Sequence, residues 1–234
     1  LSPEYTNNFE LSYSTYIQST TLNFAIFYRR TTKAIESVRL PGTNGDTVNT
    51  TFANIGKEST YGLNLFANLV IGKKLSLNAG TDLYYLVLDN NLPLSNPDNL
   101  NYSFHNQGWV FSARLSGGYN ISKGWSLYVY GFYRARQIQL QGYQSGFPYY
   151  SLTLRKEFLK KKGTIGIGSE YFFTPSIHVK NVVQSKTIAQ QSTNVTQNLS
   201  FRVNFSFRIG KLTVEKTERK KRNISNDDLK GSKD

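Results

Sequence analysis

The chain has 234 residues, a net charge of +13 and 14% aromatic residues, with 16 Tyr and 15 Phe against 2 Trp. Having no Cys, it has no disulfide framework, no Cys-based zinc site and no thiol nucleophile. Its longest uninterrupted apolar run, Leu83 to Leu88 between Asp82 and Asp89, falls far short of the roughly 20 residues a spanning helix needs, so a membrane helix is excluded. A membrane strand of about 9 to 11 residues remains open.

Period-two alternation appears first at Phe9, Leu11, Tyr13 and Ile17, then at Leu22, Phe24, Ile26 and Tyr28, and again at Tyr61, Leu63, Leu65, Ala67, Leu69 and Ile71. The segments Leu75 to Leu88, Gly108 to Ile121, Trp125 to Leu140, Phe147 to Leu159 and Thr164 to Thr174 continue the series. The clearest strand comes last. Leu199, Phe201, Val203, Phe205, Phe207 and Ile209 alternate without a break with Ser200, Arg202, Asn204, Ser206 and Arg208. On a strand this places large apolar side chains on one face and arginines with small polar residues on the other.

These nine predicted strands mostly run 11 to 16 residues, well beyond the five or six usual in soluble sheets. A strand of about 13 residues at about 3.3 Å each reaches roughly 43 Å, enough to cross a bilayer at a tilt. The connections alternate in length. Short ones fall at residues 18–21, 72–74, 122–124 and 160–163; long ones fall at about 35–57, 89–107 and 175–198, with a shorter one near 141–146. Outer-membrane barrels show this alternation of short periplasmic turns and longer extracellular loops. The expected fold is therefore an all-β, antiparallel up-and-down transmembrane barrel over residues 1–210, with a basic tail over 211–234. Single-chain bacterial barrels close with even strand numbers, and the chain has no Met. The expectation is a piece of a larger barrel, its upstream part missing.

Within that frame Leu199, Phe201, Val203, Phe205, Phe207 and Ile209 are expected to face lipid, and Glu10, Arg114, Arg134, Arg202 and Arg208 to face the lumen. Trp109 and Trp125 stand near strand starts and are expected at the membrane interfaces. So are the clusters Tyr84–Tyr85, Tyr128 to Tyr133 and Tyr149–Tyr150, in preference to a stacking platform for nucleic acid or sugar. His105 and His178 are expected in loops, solvated and without a metal spacing. Gly163, Gly166 and Gly168 lack the following helix a phosphate loop requires. No catalytic constellation, cofactor site or metal site is expected, and the chain reads as no enzyme. The positive charge lies largely in short turns such as Gly72-Lys73-Lys74 and Lys160-Lys161-Lys162-Gly163 and in the tail run Arg219 to Arg222, so no nucleic-acid partner is expected.

Both ends carry a resemblance. The opening Leu1-Ser2-Pro3-Glu4-Tyr5-Thr6-Asn7-Asn8-Phe9-Glu10-Leu11 and the closing Phe205-Ser206-Phe207-Arg208-Ile209-Gly210-Lys211, with Asn226-Asp227-Asp228-Leu229-Lys230 after it, resemble the outer-membrane β-barrel proteins of Bacteroidetes related to TonB-dependent receptors. The resemblance implies a parent barrel of about 22 strands with an N-terminal plug, of which this chain holds the last nine. It further implies outer-membrane lipid as surroundings, the plug and upstream strands as partners, and a TonB-type energy-coupling protein acting through the plug. The implied function is import of a large nutrient such as a siderophore, oligosaccharide or peptide. The alternatives are a passive or structural barrel without a plug, and a soluble basic β-protein binding nucleic acid or polysaccharide.

Overall fold

The computed structural model describes residues 1–42, 47–90, 104–184 and 188–210. The expected tail over 211–234 and its basic run lie outside them.

The main sheet takes nine strands in meander order, each antiparallel to its neighbours. They are β1 (Tyr5–Ile17), β2 (Thr20–Thr32), β5 (Lys57–Ile71), β6 (Leu75–Asp89), β7 (His105–Ser122), β8 (Trp125–Arg134), β11 (Phe147–Phe158), β12 (Gly163–Glu170) and β15 (Ser200–Phe207). Every one of the nine predicted strands is found. The sheet is not closed: β1 and β15 form its two edges. Between the main strands stand β3 (Ile35–Pro41) paired with β4 (Val48–Asn54), and a smaller sheet in the order β14 (Ala189–Gln197), β13 (Ser176–Gln184), β10 (Gly142–Gln144), β9 (Gln137–Gln139).

All four tight turns of the main sheet lie at the same end. Their residues Gln18, Gly72, Lys123 and Gly124, and Leu159 to Lys161 adopt positive φ. Lys123 at 49° and Gly124 at 82° form the paired left-handed geometry that suits the twist of a two-residue hairpin. The opposite end carries β3–β4 and the smaller sheet, so the expected long connections at about 35–57 and 175–198 and the shorter one near 141–146 contain strands of their own, while most of the long connection expected at 89–107 lies outside the described residues.

The main departures from the expected strand boundaries are three, besides shifts of a few residues at other ends such as the start of β7 at His105. The run Trp125 to Leu140 is not one strand: β8 ends at Arg134, and Ile138 and Leu140 leave the ladder for a buried cluster, where burial stabilises them more than an exposed ladder position does. The run Thr164 to Thr174 stops at Glu170 because Tyr171 turns the chain at φ 52°, with its ring buried. Tyr150 holds that turn, its hydroxyl oxygen accepting from the amides of Phe173 (3.0 Å) and Thr174 (2.8 Å). The closing run is trimmed to Ser200–Phe207, which leaves Leu199, Arg208 and Ile209 just outside the ladder.

The register carries the alternation from strand to strand, because directly paired residues share a face. Leu11, Ile26, Leu63, Leu83 and Phe111 form one row, and Tyr13, Phe24, Leu65, Thr81, Ala113 and Tyr133 the next. One face of the sheet is thus apolar throughout its middle. Its side chains stay uncovered, with Leu11 at 70% and Phe201 at 76% exposure. A soluble monomer rarely leaves a patch beyond a few hundred Å² open. Above these rows Phe9, Tyr28, Tyr61, Tyr85 and Trp109 pair across five consecutive strands, with ring centroids 6.3 Å (Phe9–Tyr28), 4.8 Å (Tyr28–Tyr61) and 5.3 Å (Tyr85–Trp109) apart. From Tyr61 to Ile71, Tyr85 to Leu75 and Trp109 to Tyr119 the apolar stretch covers the same length on three adjacent strands. About ten residues at about 3.3 Å, tilted by about 40°, give a band roughly 25 Å tall, the height of the apolar belt of a transmembrane barrel.

Candidate functional site

The face opposite the apolar rows holds the polar chemistry. Glu10 pairs with Phe27, Arg114 with Gly80 and Phe132, Arg134 with Ser112, and Arg202 with Gly168, so these four expected lumen-facing residues share one face. Arg208 follows the same alternation but stands past the end of β15, its amide donating to Lys162 O at 2.8 Å. The opposite parity places Phe201, Val203, Phe205 and Phe207 with Ile165 and Ile167 on the apolar face.

Hydrogen bonds knit the polar face across strands. Asp82 accepts from Asn64 on one oxygen and from Ser112 Oγ on the other (2.9 Å); below them Asn68 donates to Asn78 at 2.5 Å. Arg202 donates to Glu170 at 2.7 Å and Arg155 to Glu157 at 3.3 Å. Amides, hydroxyls and ion pairs satisfied side to side like this fit a wall that faces water.

Two recesses open on this face and share Asn64 and Asp82. The upper, about 410 Å³, is bounded by Phe27, Tyr84 and Phe132 together with Arg29, Glu58 and Arg134. The lower, about 500 Å³, takes Phe66, Asn78, Arg114 and Tyr130. Gly62 permits the upper one. A Cβ there would stand 2.5 Å from the Phe27 ring and 2.6 Å from Tyr84 Cβ, so only glycine lets these side chains cross β5. Among the described residues no acidic group lies within ion-pair distance of Arg29, Arg114 or Arg134. Arg29, Asp82 and Tyr84 are absent from the expected site, although the alternation that picked out Arg134 also puts them on its face. A third concavity, about 910 Å³, runs along Ala67, Ala79, Ala113 and Gly131, small residues of the apolar face, and offers almost no polar atoms.

Above the recesses the chain builds its main buried cluster. Ala34, Val38 and Ile55 of the β3–β4 region pack with Leu86, Leu88 and Val110 of the main sheet and with Ile138 and Leu140 beside β9. Gln141 fixes the arrangement. Its side-chain oxygen accepts from Arg39 N (2.7 Å) and its amide donates to Arg39 O (2.8 Å), so one side chain completes the backbone pairing of β3. The β3–β4 hairpin is thereby held over the polar face as a roof.

Glu36 lies in this roof, and burial pushes its carboxyl above the ordinary value of 4.5, with Glu58 and Glu4 adding to the rise. A carboxyl raised in the folded state stabilises docking while it is protonated, and that contribution is lost as pH rises through the raised value. The protection factors of the β3–β4 amides, in which the intrinsic pH dependence of exchange is divided out, are therefore expected to be highest below the ordinary carboxyl value and to fall as pH rises through the raised one, and Glu36→Gln is expected to flatten that profile. An unchanged pH profile in the variant would assign the effect to another group.

The histidines are not loop residues. His105 opens β7 and pairs with Asp89, and His178 lies in β13 with Nε2 3.0 Å from Ser176 Oγ. No group of three or more metal-ligating side chains occurs among the described residues. The tyrosine clusters divide between the faces, because neighbours on a strand point opposite ways. Tyr85, Tyr133 and Tyr150 join the apolar face, while Tyr84, Tyr128, Tyr130 and Tyr149 point to the polar one. Trp109 stands in the aromatic row at the loop end. Trp125 opens β8 beside a tight turn, with Lys156 Nζ 4.9 Å from its ring centroid.

A two-faced sheet with tight turns at one end and an aromatic row toward the other is the form of a membrane barrel wall, and the sequence model of the outer membrane protein beta-barrel family matches residues 1–207. The chain belongs to that family. It is an outer-membrane β-barrel protein, which sets aside the soluble nucleic-acid or polysaccharide binder. No curated protein and no solved structure matches the chain.

Proposed function

We propose that the chain is part of the wall of an outer-membrane receptor that imports a large nutrient, a siderophore, an oligosaccharide or a peptide. The observation that carries this reading is the polar face: it runs across all nine strands, carries hydrogen bonds and an ion pair between neighbouring strands, and holds two recesses beneath a docked roof. In this reading the apolar face meets lipid, with Phe201, Val203, Phe205 and Phe207 among the lipid contacts and Leu199 and Ile209 at its margins. Glu10, Arg114, Arg134 and Arg202 face the lumen. Trp109 marks the outer interface and Trp125 the inner, and the tight turns and the tail over 211–234 stand in the periplasm.

The uncovered edges of β1 and β15 support a barrel of more strands, about 22 as the family resemblance implies, with this chain as its C-terminal part and a plug inside. An open edge of such length is otherwise a template for aggregation. Energy reaches the plug from a TonB-type partner, and the protein performs no catalysis. Planar-bilayer recording of the full-length protein tests this. A plugged importer is expected to stay electrically silent until urea unfolds the plug. A steady conductance without urea would point instead to a passive barrel.

A further inference from the structure

Charge is segregated along the sheet. At the turn end Lys73 and Lys74 follow Gly72, Lys123 precedes Gly124, and Lys160, Lys161 and Lys162 make up most of the β11–β12 turn; all six are exposed. Arg208 joins them through its backbone bond to Lys162. Of the acidic residues described, only Glu157 lies at this end, held by Arg155 at 3.3 Å, and all the others sit at mid-depth or nearer the loop end. Adjacent turns are two strand spacings apart, about 10 Å, close to the screening length of about 8 Å at physiological salt, so their fields add.

The belt also touches the apolar face. Lys156 lies on that face, in register with Trp125, and its Nζ stands over the Trp125 ring while donating to Lys123 O at 2.6 Å. Its stem thus lies along apolar surface and its ammonium reaches the turn, as a lysine does where hydrocarbon gives way to headgroups. Trp125, Lys156 and the turn lysines together supply an aromatic ring at the boundary and cations just beyond it.

We propose that this turn-end lysine belt binds the headgroups of anionic phospholipids in the adjoining leaflet. The site is a charged surface without a pocket, and it recognises negative charge at the bilayer surface whatever solute the barrel carries. It gives the barrel a preferred lipid surrounding at one end. Screening by salt weakens it, as for any exposed polybasic patch.

Thermal unfolding of the full-length protein in a neutral detergent, titrated with phosphatidylglycerol or phosphatidylcholine, tests the proposal. Phosphatidylglycerol is expected to raise the midpoint and phosphatidylcholine to leave it unchanged, with the difference lost at high salt. In a variant carrying Lys73→Gln, Lys74→Gln, Lys160→Asn and Lys161→Asn the apparent affinity for phosphatidylglycerol is expected to fall by about tenfold or more. Asn suits the two positions of positive φ, so the midpoint without lipid should stay the same. Arg at the same four positions should restore the effect. Equal stabilisation by the two lipids, or a lipid-selective response undiminished in the Gln/Asn variant, would overturn the proposal.

Discussion

Leu65→Arg is expected to destabilise the barrel by about 2 to 4 kcal/mol, the cost of a cation at the bilayer midplane, whereas Ser14→Arg should change stability by less than about 0.5 kcal/mol. The two positions lie at nearly the same depth. Leu65 pairs with Phe24 and Thr81 on the apolar face, and Ser14 pairs with Asn23 on the polar face, in the row next to it. Differences in strand propensity span only about 1 kcal/mol, so a gap of the expected size reports which solvent each face meets. Reversible urea unfolding in lipid vesicles measures it. Equal costs at the two sites would mean that the two faces meet the same surroundings.

Leu88→Ala is expected to cost about 2 to 5 kcal/mol, the range for emptying a filled core site. Leu88 is 1% exposed and packs in the cluster that joins the main sheet to the roof. The apolar side chains of the membrane band are uncovered by protein, and truncating them removes less protein packing than truncating this one. The loss should first be visible as local opening: faster proteolysis within the β3–β4 hairpin at urea concentrations where the main strands remain folded. Cleavage of hairpin and main strands at one common concentration would show that the roof is no separate unit.

All nine main strands are legible in the sequence because one physical pattern, apolar against polar at period two, runs through them and gives the sheet one apolar and one polar face. The secondary strands escape that logic. Ala189–Gln197, the segment of β14, reads AQQSTNVTQ and has no apolar side to read; it is a strand because its backbone pairs with β13. In Ile138 and Leu140 the alternation is present but misleads, since their apolar side chains serve the buried cluster rather than the membrane.

The site was legible by face but not by row. Alternation along β8 is enough to put Arg134 on the polar side. That it stands in one row with Ser112, Asp82 and Asn64 follows from the registers of β5, β6, β7 and β8 taken together, which no single strand contains. The same holds for Trp109: its place near the start of a strand suggested an interface, and the register added Phe9, Tyr28, Tyr61 and Tyr85 in line with it. Tyr84 shows the limit of reading residues in clusters, since its neighbour Tyr85 belongs to that aromatic row while Tyr84 itself lines the upper recess.

The chain contains no Cys, so single cysteines can be placed along β6 of the vesicle-embedded protein and labelled with a membrane-impermeant maleimide. A wall with lipid on one side and a watery lumen on the other predicts rapid labelling of Ser76→Cys, Asn78→Cys and Asp82→Cys, and protection of Leu77→Cys, Ala79→Cys and Leu83→Cys. Labelling at similar rates on the two parities would contradict it.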